Sequence, residues 1–457
     1  MTTLFSIAFW GFLFVYGAIL WFLSPKVKSF DGFFRGSDDK GRDVNVWLLS
    51  TSIFISWIFA KSVTNAANLG AKYGIVGGVA YAAYWLCIPV AGIILYRLRT
   101  KYNATGLVEF LNSNYGRLAS FCFSIAILIR LFNEVWSNTS VVGGYYGESG
   151  STSFIIAALL FTFITLIYSL KGGLRGSIVT DIVQAVIFVI GVGFVLTFVL
   201  PKYSVGEIVS SGEWSLVGGV DLLLVALLQI FSYPFHDPVL TDRGFLCSPK
   251  RMLISFIIAG ITGFLAIFIF SFIGVYASFE GITGSNIPAS VALSFGLGAL
   301  FLMNIVMISA AGSTLDSTFA SLSKLIAHDW VKLINPNWLS KSVIIGMISM
   351  VVLSIVGNFP MFLGTDILKA TTISGTMVIG MAPIFMLHGV VTINKLSFYL
   401  SFFFGLFCGF VEVLGILPKA LYIGDGAYAG LLGINVYGLL GCFALYFLGA
   451  YIAKLRH

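Results

Sequence analysis

Long apolar blocks separated by short polar intervals fill this chain. Thirteen of them are long enough to cross a bilayer as helices. They are Thr3–Leu23, Val44–Leu69, Ile75–Tyr96, Leu118–Trp136, Phe154–Leu170, Ile178–Leu200, Val220–Phe235, Met252–Phe279, Ile287–Ala327, Ser342–Asn358, Ile367–His388, Leu396–Val413 and Ala429–Ala453. Two blocks are interrupted. The second carries Lys61, Ser62, Thr64 and Asn65 at mid-length, and the seventh runs into Pro234 and Pro238. A helix broken at membrane depth frees backbone groups that lipid cannot satisfy, so each break is expected to line a cavity or an ion site.

Composition agrees with a bilayer-embedded bundle. The 457 residues are 58% hydrophobic and 10% charged, more apolar than a soluble core of this length requires. Twenty of the 26 lysines and arginines fall in loops on one side. Four (Lys72, Lys202, Lys369, Lys419) fall on the other, and Lys61 and Arg130 lie deep within spans. Basic residues stay cytoplasmic, which predicts an outside N-terminus and a cytoplasmic C-terminus in a plasma membrane, such as a bacterial inner membrane. This asymmetry accounts for the net charge of +7, so no nucleic-acid partner is expected. Thr3–Leu23 lacks a basic leader and reads as a retained span. The five cysteines are scattered through apolar blocks and read as packing residues. No nucleophile elbow, phosphate loop, dinucleotide fingerprint or metal spacing appears, and no enzymatic activity is expected.

Chemistry concentrates in a few places. Ser309, Ser313, Ser317 and Ser321 recur every four residues and form one hydroxyl stripe, widened by Thr314 and Thr318. Asp316 lies about one turn from Ser313. Hydroxyl and carboxylate oxygens suit a hard cation such as Na⁺, while small residues alone also suit a tight helix contact. A carboxylate at that depth costs about 2.5–3.5 kcal/mol on insertion scales, which favours a functional role. The second signal is Lys171-Gly172-Gly173-Leu174-Arg175-Gly176-Ser177, a basic glycine-rich turn that feeds a helix carrying Asp181. That carboxylate reads either as a helix cap or as a functional group.

The Gly-Gly-Leu turn followed by Thr180-Asp181 and Gln184 resembles the sodium:solute symporter family. So does Ser313-Thr314 in a small-residue helix that ends at His328-Asp329-Trp330. The resemblance implies an all-α membrane protein of 13 transmembrane helices. Its core would be an inverted five-plus-five helix repeat, as in leucine transporters, with discontinuous first and sixth core helices. Residues 1–43 would form a leading helix and loop, 44–200 the first repeat, 201–390 the second, and 391–457 two additional helices. It implies a Na⁺ site made by Ser313 and Thr314 with backbone carbonyls near Ala310, Trp57 and Ala60. It places a second Na⁺ at Asp181, Asp316 and Ser317. Tyr233 resembles an aromatic inner gate, with Gln229 one turn earlier as a substrate contact and Asn65 beside the first break.

Two features depart from the family. Lys61 lies about 12 Å from the outer end of its span, too deep to snorkel easily. It pairs with Glu134 or Asp316, binds an anionic substrate, or stands in for a cation. Arg130 and Glu134, four residues apart, form either a structural pair or part of the substrate site. The segment 232–238 also differs from the sugar-carrier pattern. Trp57-Ile58-Phe59-Ala60 and Lys72-Tyr73-Gly74 faintly resemble the urea-carrier branch. The function expected is Na⁺-coupled import of a small polar organic solute (urea, an amino acid or a small carboxylate) across the lipid bilayer by alternating access. The alternative is a transporter-like sensor; since the sequence ends at His457, that reading expects a separate signalling partner.

Overall fold

The computed structural model describes residues 3–38, 41–363 and 374–455. Among them the chain is helical throughout, with one isolated bridge between His388 and Val391 and no strand. Among the described residues nine helices are long and apolar enough to cross a membrane, and a bent pair makes a tenth. The surface is greasy and the interior polar: Phe22 is 81% exposed and Phe407 58%, while Arg130, Asp181 and Arg243 are completely buried. That inversion is what a lipid-facing bundle with an internal polar pathway requires.

Helix α1 (Thr3–Leu23) leads the bundle. The second apolar block divides into α2 (Val46–Ser56) and α3 (Ala60–Tyr73), bent by 61° across Trp57–Phe59. The break contains neither proline nor glycine. Other helices hold it open. The Ala60 amide donates to Asn138 Oδ1 at 3.1 Å, and the Thr314 hydroxyl donates to the Ser56 carbonyl at 3.3 Å. The freed backbone groups thus find side-chain partners, as membrane burial demands. Helices α4 (Ile75–Lys101) and α5 (Arg117–Gly144) follow.

Helix α6 (Thr152–Val199) runs 48 residues, about 72 Å by helical rise and more than twice a hydrocarbon core. It is divided at Gly173 (φ 51°, ψ −145°), so the two expected spans meet at a sharp kink inside the glycine-rich turn. A Cβ there would lie 2.7 Å from Phe33. The second broken block gives α7 (Asp221–Gln229), a tight turn at Tyr233–His236 and a short helix at Pro238–Thr241. Asp237 caps that short helix by accepting the Val239 amide at 3.0 Å.

Helix α8 (Pro249–Glu280) is a single long span. The expected span Ile287–Ala327 is instead two helices, α9 (Ile287–Ser294) and α10 (Leu297–Lys324), because Gly296 takes φ 102° and ends helical continuity. Helices α11 (Ser342–Val356), α12 (Met381–Met386), α13 (Lys395–Leu414) and α14 (Ala429–Leu455) complete the chain. Residues 367–373 of the expected span Ile367–His388, with Lys369, lie outside the described residues. Helix α10 packs along α6, α5 and α2. The serine stripe makes that approach possible and simultaneously brings hydroxyls to the first break.

Candidate functional site

Three groups of residues meet around the two breaks. The first is oxygen-rich. Thr314 on α10 donates from one hydroxyl toward both the Ser56 carbonyl (3.3 Å) and the Ala310 carbonyl (3.2 Å). Among the described residues no amide or hydroxyl donates to the carbonyls of Trp57 and Ile58 in the break. The Ala60 carbonyl is taken by the Thr64 hydroxyl at 3.1 Å. Ser313 turns its hydroxyl to Asp181 Oδ1 at 2.5 Å. The structure therefore brings Thr314, Ala310 and the α2 terminus together, adds Ser56, and engages Ser313 with a carboxylate.

The second group surrounds that carboxylate. Asp181 Oδ2 accepts from Ser52 (2.6 Å), Ser56 (3.2 Å) and the Arg243 guanidinium (3.2 Å). Arg243 also donates to Ser52 (2.8 Å), Ser56 (2.9 Å), Ser317 (2.8 Å) and the Val239 carbonyl (2.7 Å). Asp316 lies behind, accepting from Ser177 (2.7 Å) and Thr180 (3.1 Å). Lys324 on α10 anchors the Arg243 segment through Asp242 at 2.5 Å. The sequence reading placed Arg243 in a cytoplasmic loop. It lies instead wholly inside the bundle, on the chain that returns after the second break. Asp181 is accordingly no helix cap.

The third group is a closed ionic quartet. Lys61 pairs with Glu134 at 2.7 Å, and not with Asp316. Arg130 pairs with Glu134 and reaches Asp237 at 2.9 Å. Asn138 donates to Glu134 Oε2 at 3.1 Å while accepting the Ala60 amide. Two cations and two carboxylates balance, and both cations also sit over the Phe59 ring. Beside the quartet, sharing Phe59 and Tyr233 with it, lies a cavity of about 20 Å³ lined by Trp57, Phe59, Ser62, Tyr81, Tyr84, Trp85 and Tyr233. That is room for one water. The buried indole N–H groups of Trp57 and Trp85 lack hydrogen-bond partners among the described residues.

The remaining candidates divide. Tyr233 lies on the cavity rim, 6.1 Å from Trp57 and 5.8 Å from Tyr84, with Arg130 over its face. Asn65 donates to Tyr81 at 3.1 Å and so orients a cavity residue. Gln229 accepts from Tyr84 at 3.1 Å and donates to Asn435 at 3.0 Å, which holds it in an interhelical network. Sequence reasoning missed Ser52, Ser56, Arg243, Asp237, Asn138 and the two tryptophan donors as a set. The spacing of Ser52 and Ser56, four apart in an apolar helix, was the one available signal for the first pair.

Residues 40–212 match the sequence model of the sodium:solute symporter family. Among curated proteins, the chain is similar to the urea active transporter of Saccharomyces cerevisiae. The two are 21% identical over 339 residues, 63% of this chain and 45% of the yeast protein. Sodium/glucose cotransporter 4 of Danio rerio is 26% identical over 196 residues, 41% of this chain and 28% of the fish protein. The chain spans less than half the length of these relatives. Among solved structures, a substrate-bound, outward-open Na⁺-coupled sialic acid symporter superposes with a TM-score of 0.71. It covers 99% of this chain and 98% of its own at 15% identity. A nucleobase-cation-symport-1 family transporter in a closed conformation gives 0.58, covering 95% of each chain at 13% identity. The chain thus has the fold of these symporters, and it resembles the sodium:solute symporter family in sequence.

Proposed function

We propose that the protein is a Na⁺-coupled symporter that imports a small, neutral, polar solute by alternating access. The observation that carries this reading is the meeting of the Thr314 hydroxyl with the Ser56 and Ala310 carbonyls at the end of a broken helix. Hard cations hold oxygens at about 2.3–2.6 Å, so oxygens at right angles around one lie about 3.3–3.7 Å apart. Of the two contacts of Thr314, the one at 3.3 Å falls at the short edge of that range and the one at 3.2 Å just below it. The carbonyls of Trp57 and Ile58, without donors, supply further oxygen at the negative end of the α2 dipole.

The solute reading rests on the cavity. As it stands the cavity has room for one water, so a solute would have to widen it; its aromatic faces would stack on a planar group, and two indole N–H donors without partners among the described residues favour an acceptor such as a carbonyl oxygen. The quartet beside it is internally neutral, so neither Lys61 nor Arg130 has charge to spare for a carboxylate. Among the expected solutes this favours urea over amino acids and small carboxylates, and the similarity to a yeast protein named a urea active transporter supports the same choice.

In this reading the repeats are 44–200 and 201–390, flanked by the leading helix and two C-terminal helices, thirteen spans in all. The N-terminus lies outside. Sodium joins α10 to the end of α2 and favours the conformation open to solute, and the breaks act as the moving parts. Each inward charge is worth about 2.3 kcal/mol per 100 mV, a concentration factor of about 50 for a neutral solute. The test is uptake of labelled urea into proteoliposomes with and without a sodium gradient. Sodium-stimulated accumulation is expected, and in Thr314→Ala it should require at least about tenfold more sodium. Uptake indifferent to sodium in both proteins refutes the coupling.

A further inference from the structure

We infer that Arg243 is a resident cation occupying the position where a second sodium ion would sit, so that the transporter binds a single Na⁺ per cycle. The residues expected to hold a second ion are present, but they are already engaged. Asp181 Oδ1 accepts from Ser313, and Oδ2 accepts from Ser52, Ser56 and Arg243. Ser317, the remaining expected ligand, has its oxygen 2.8 Å from the same guanidinium. Ser177, which joins this group to Asp316, lies 3.4 Å from it. A hard cation entering among these oxygens would meet a fixed positive charge in contact with every one of its ligands except Asp316. Two cations on one carboxylate repel strongly in a buried site.

The guanidinium suits the place. It is always charged, and its donors fan out in one plane to several oxygens at once. Its full burial is compensated by six donated contacts, one of them to a carboxylate.

The chain that delivers this charge also moves it. Arg243 follows the second break and donates to Val239 in the short helix of that break. Rearrangement of the break therefore carries the cation with it, whereas a sodium ion would be free to stay or leave.

The inference rests on the symporter reading only for the count of one; the effect of removing Arg243 stands by itself. The experiment is equilibrium binding of radioactive sodium to the purified full chain, with folding checked by thermal unfolding. Wild type is expected to bind one ion per chain, held at least about tenfold more weakly in Thr314→Ala. Arg243→Ala is expected to bind one ion more than wild type, with the Hill slope rising from about one toward two. The extra ion should vanish in Arg243→Ala/Asp181→Asn, and Arg243→Lys should keep the wild-type count. A wild type that binds two ions, one of them lost in Asp181→Asn, overturns the inference. So does a folded Arg243→Ala that gains no ion and takes up a proton instead. If Arg243→Ala does not fold, the wild-type and Arg243→Lys counts decide. If wild type binds no sodium, the symporter reading fails while a gain of one ion in Arg243→Ala still supports the role of Arg243.

Discussion

The two buried charge centres are built on opposite principles. Around Glu134, charge meets charge: Lys61, Arg130 and Asp237 close a neutral quartet with few hydroxyls in it. Around Asp181, one guanidinium is dispersed over Ser52, Ser56, Ser177 and Ser317, and a single carboxylate, Asp181, faces it. Hydroxyls rotate and exchange donor for acceptor at little cost, whereas a desolvated ion pair has no second-best arrangement. The quartet therefore reads as a fixed joint between the two breaks. The hydroxyl cluster reads as a surface that can take on and release an ion.

Breaking the quartet should produce the largest effect. Glu134→Gln leaves Lys61 and Arg130 buried with one carboxylate between them, a loss of about 3–5 kcal/mol. Unfolding in detergent is expected to show it, with partial recovery when Lys61→Met is added. An equal loss from Ser177→Ala would erase the distinction between the centres. At the hydroxyl side, Thr314→Ala should raise the half-saturating sodium concentration at least about tenfold, roughly 1.4 kcal/mol, while unfolding changes by about 1 kcal/mol or less. Ion-dependent uptake and unfolding on the same preparations check this split.

A smaller effect is expected in the cavity. Trp85→Phe removes a donor that has no protein partner among the described residues, so stability should hold. The half-saturating urea concentration should rise about fivefold, near 1 kcal/mol, with sodium dependence unchanged. The smallest effect is a surface control. Glu207 accepts from the Ser204 hydroxyl and amide, and these hydrogen bonds hold its carboxyl below the usual carboxylate range. A depressed carboxyl contributes stability above its unfolded pKa and loses it as pH falls through the folded value. The protection of amides in residues 204–210, measured relative to their intrinsic exchange rate at each pH, should therefore fall in mild acid in the wild type, and Glu207→Gln should be weakly protected at all pH.

The sequence made the helical, membrane-crossing character of the chain legible because lipid imposes one simple demand on twenty residues at a time, although nine or ten helices, against thirteen expected spans, appear as such among the described residues. It made the first break legible because Lys61, Ser62, Thr64 and Asn65 cannot face lipid. The break's position at Trp57–Phe59 was not legible in the residues themselves, since none there forbids a helix, and only the family resemblance pointed to Trp57 and Ala60; Asn138 and Thr314, distant in sequence, hold it open. The division at Gly296 was hidden because Phe295 and Leu297 keep the stretch apolar. Arg243 was hidden for a different reason. Past Pro238 no periodic apolar run exists, so a residue that belongs to the interior looked like one more loop cation. Pairings such as Lys61 with Glu134 were among the open choices, and only three-dimensional proximity selected between them.

Asn138 has a mechanical consequence. One face of its amide grips the Ala60 backbone and the other grips Glu134. Straightening α2 and α3 into a continuous rod would return the Ala60 N–H to its own helix and turn this side chain loose. The carboxylate would then lose a donor in the same instant. Unbending the rod and slackening the joint beneath it are thus a single event, geared through one asparagine.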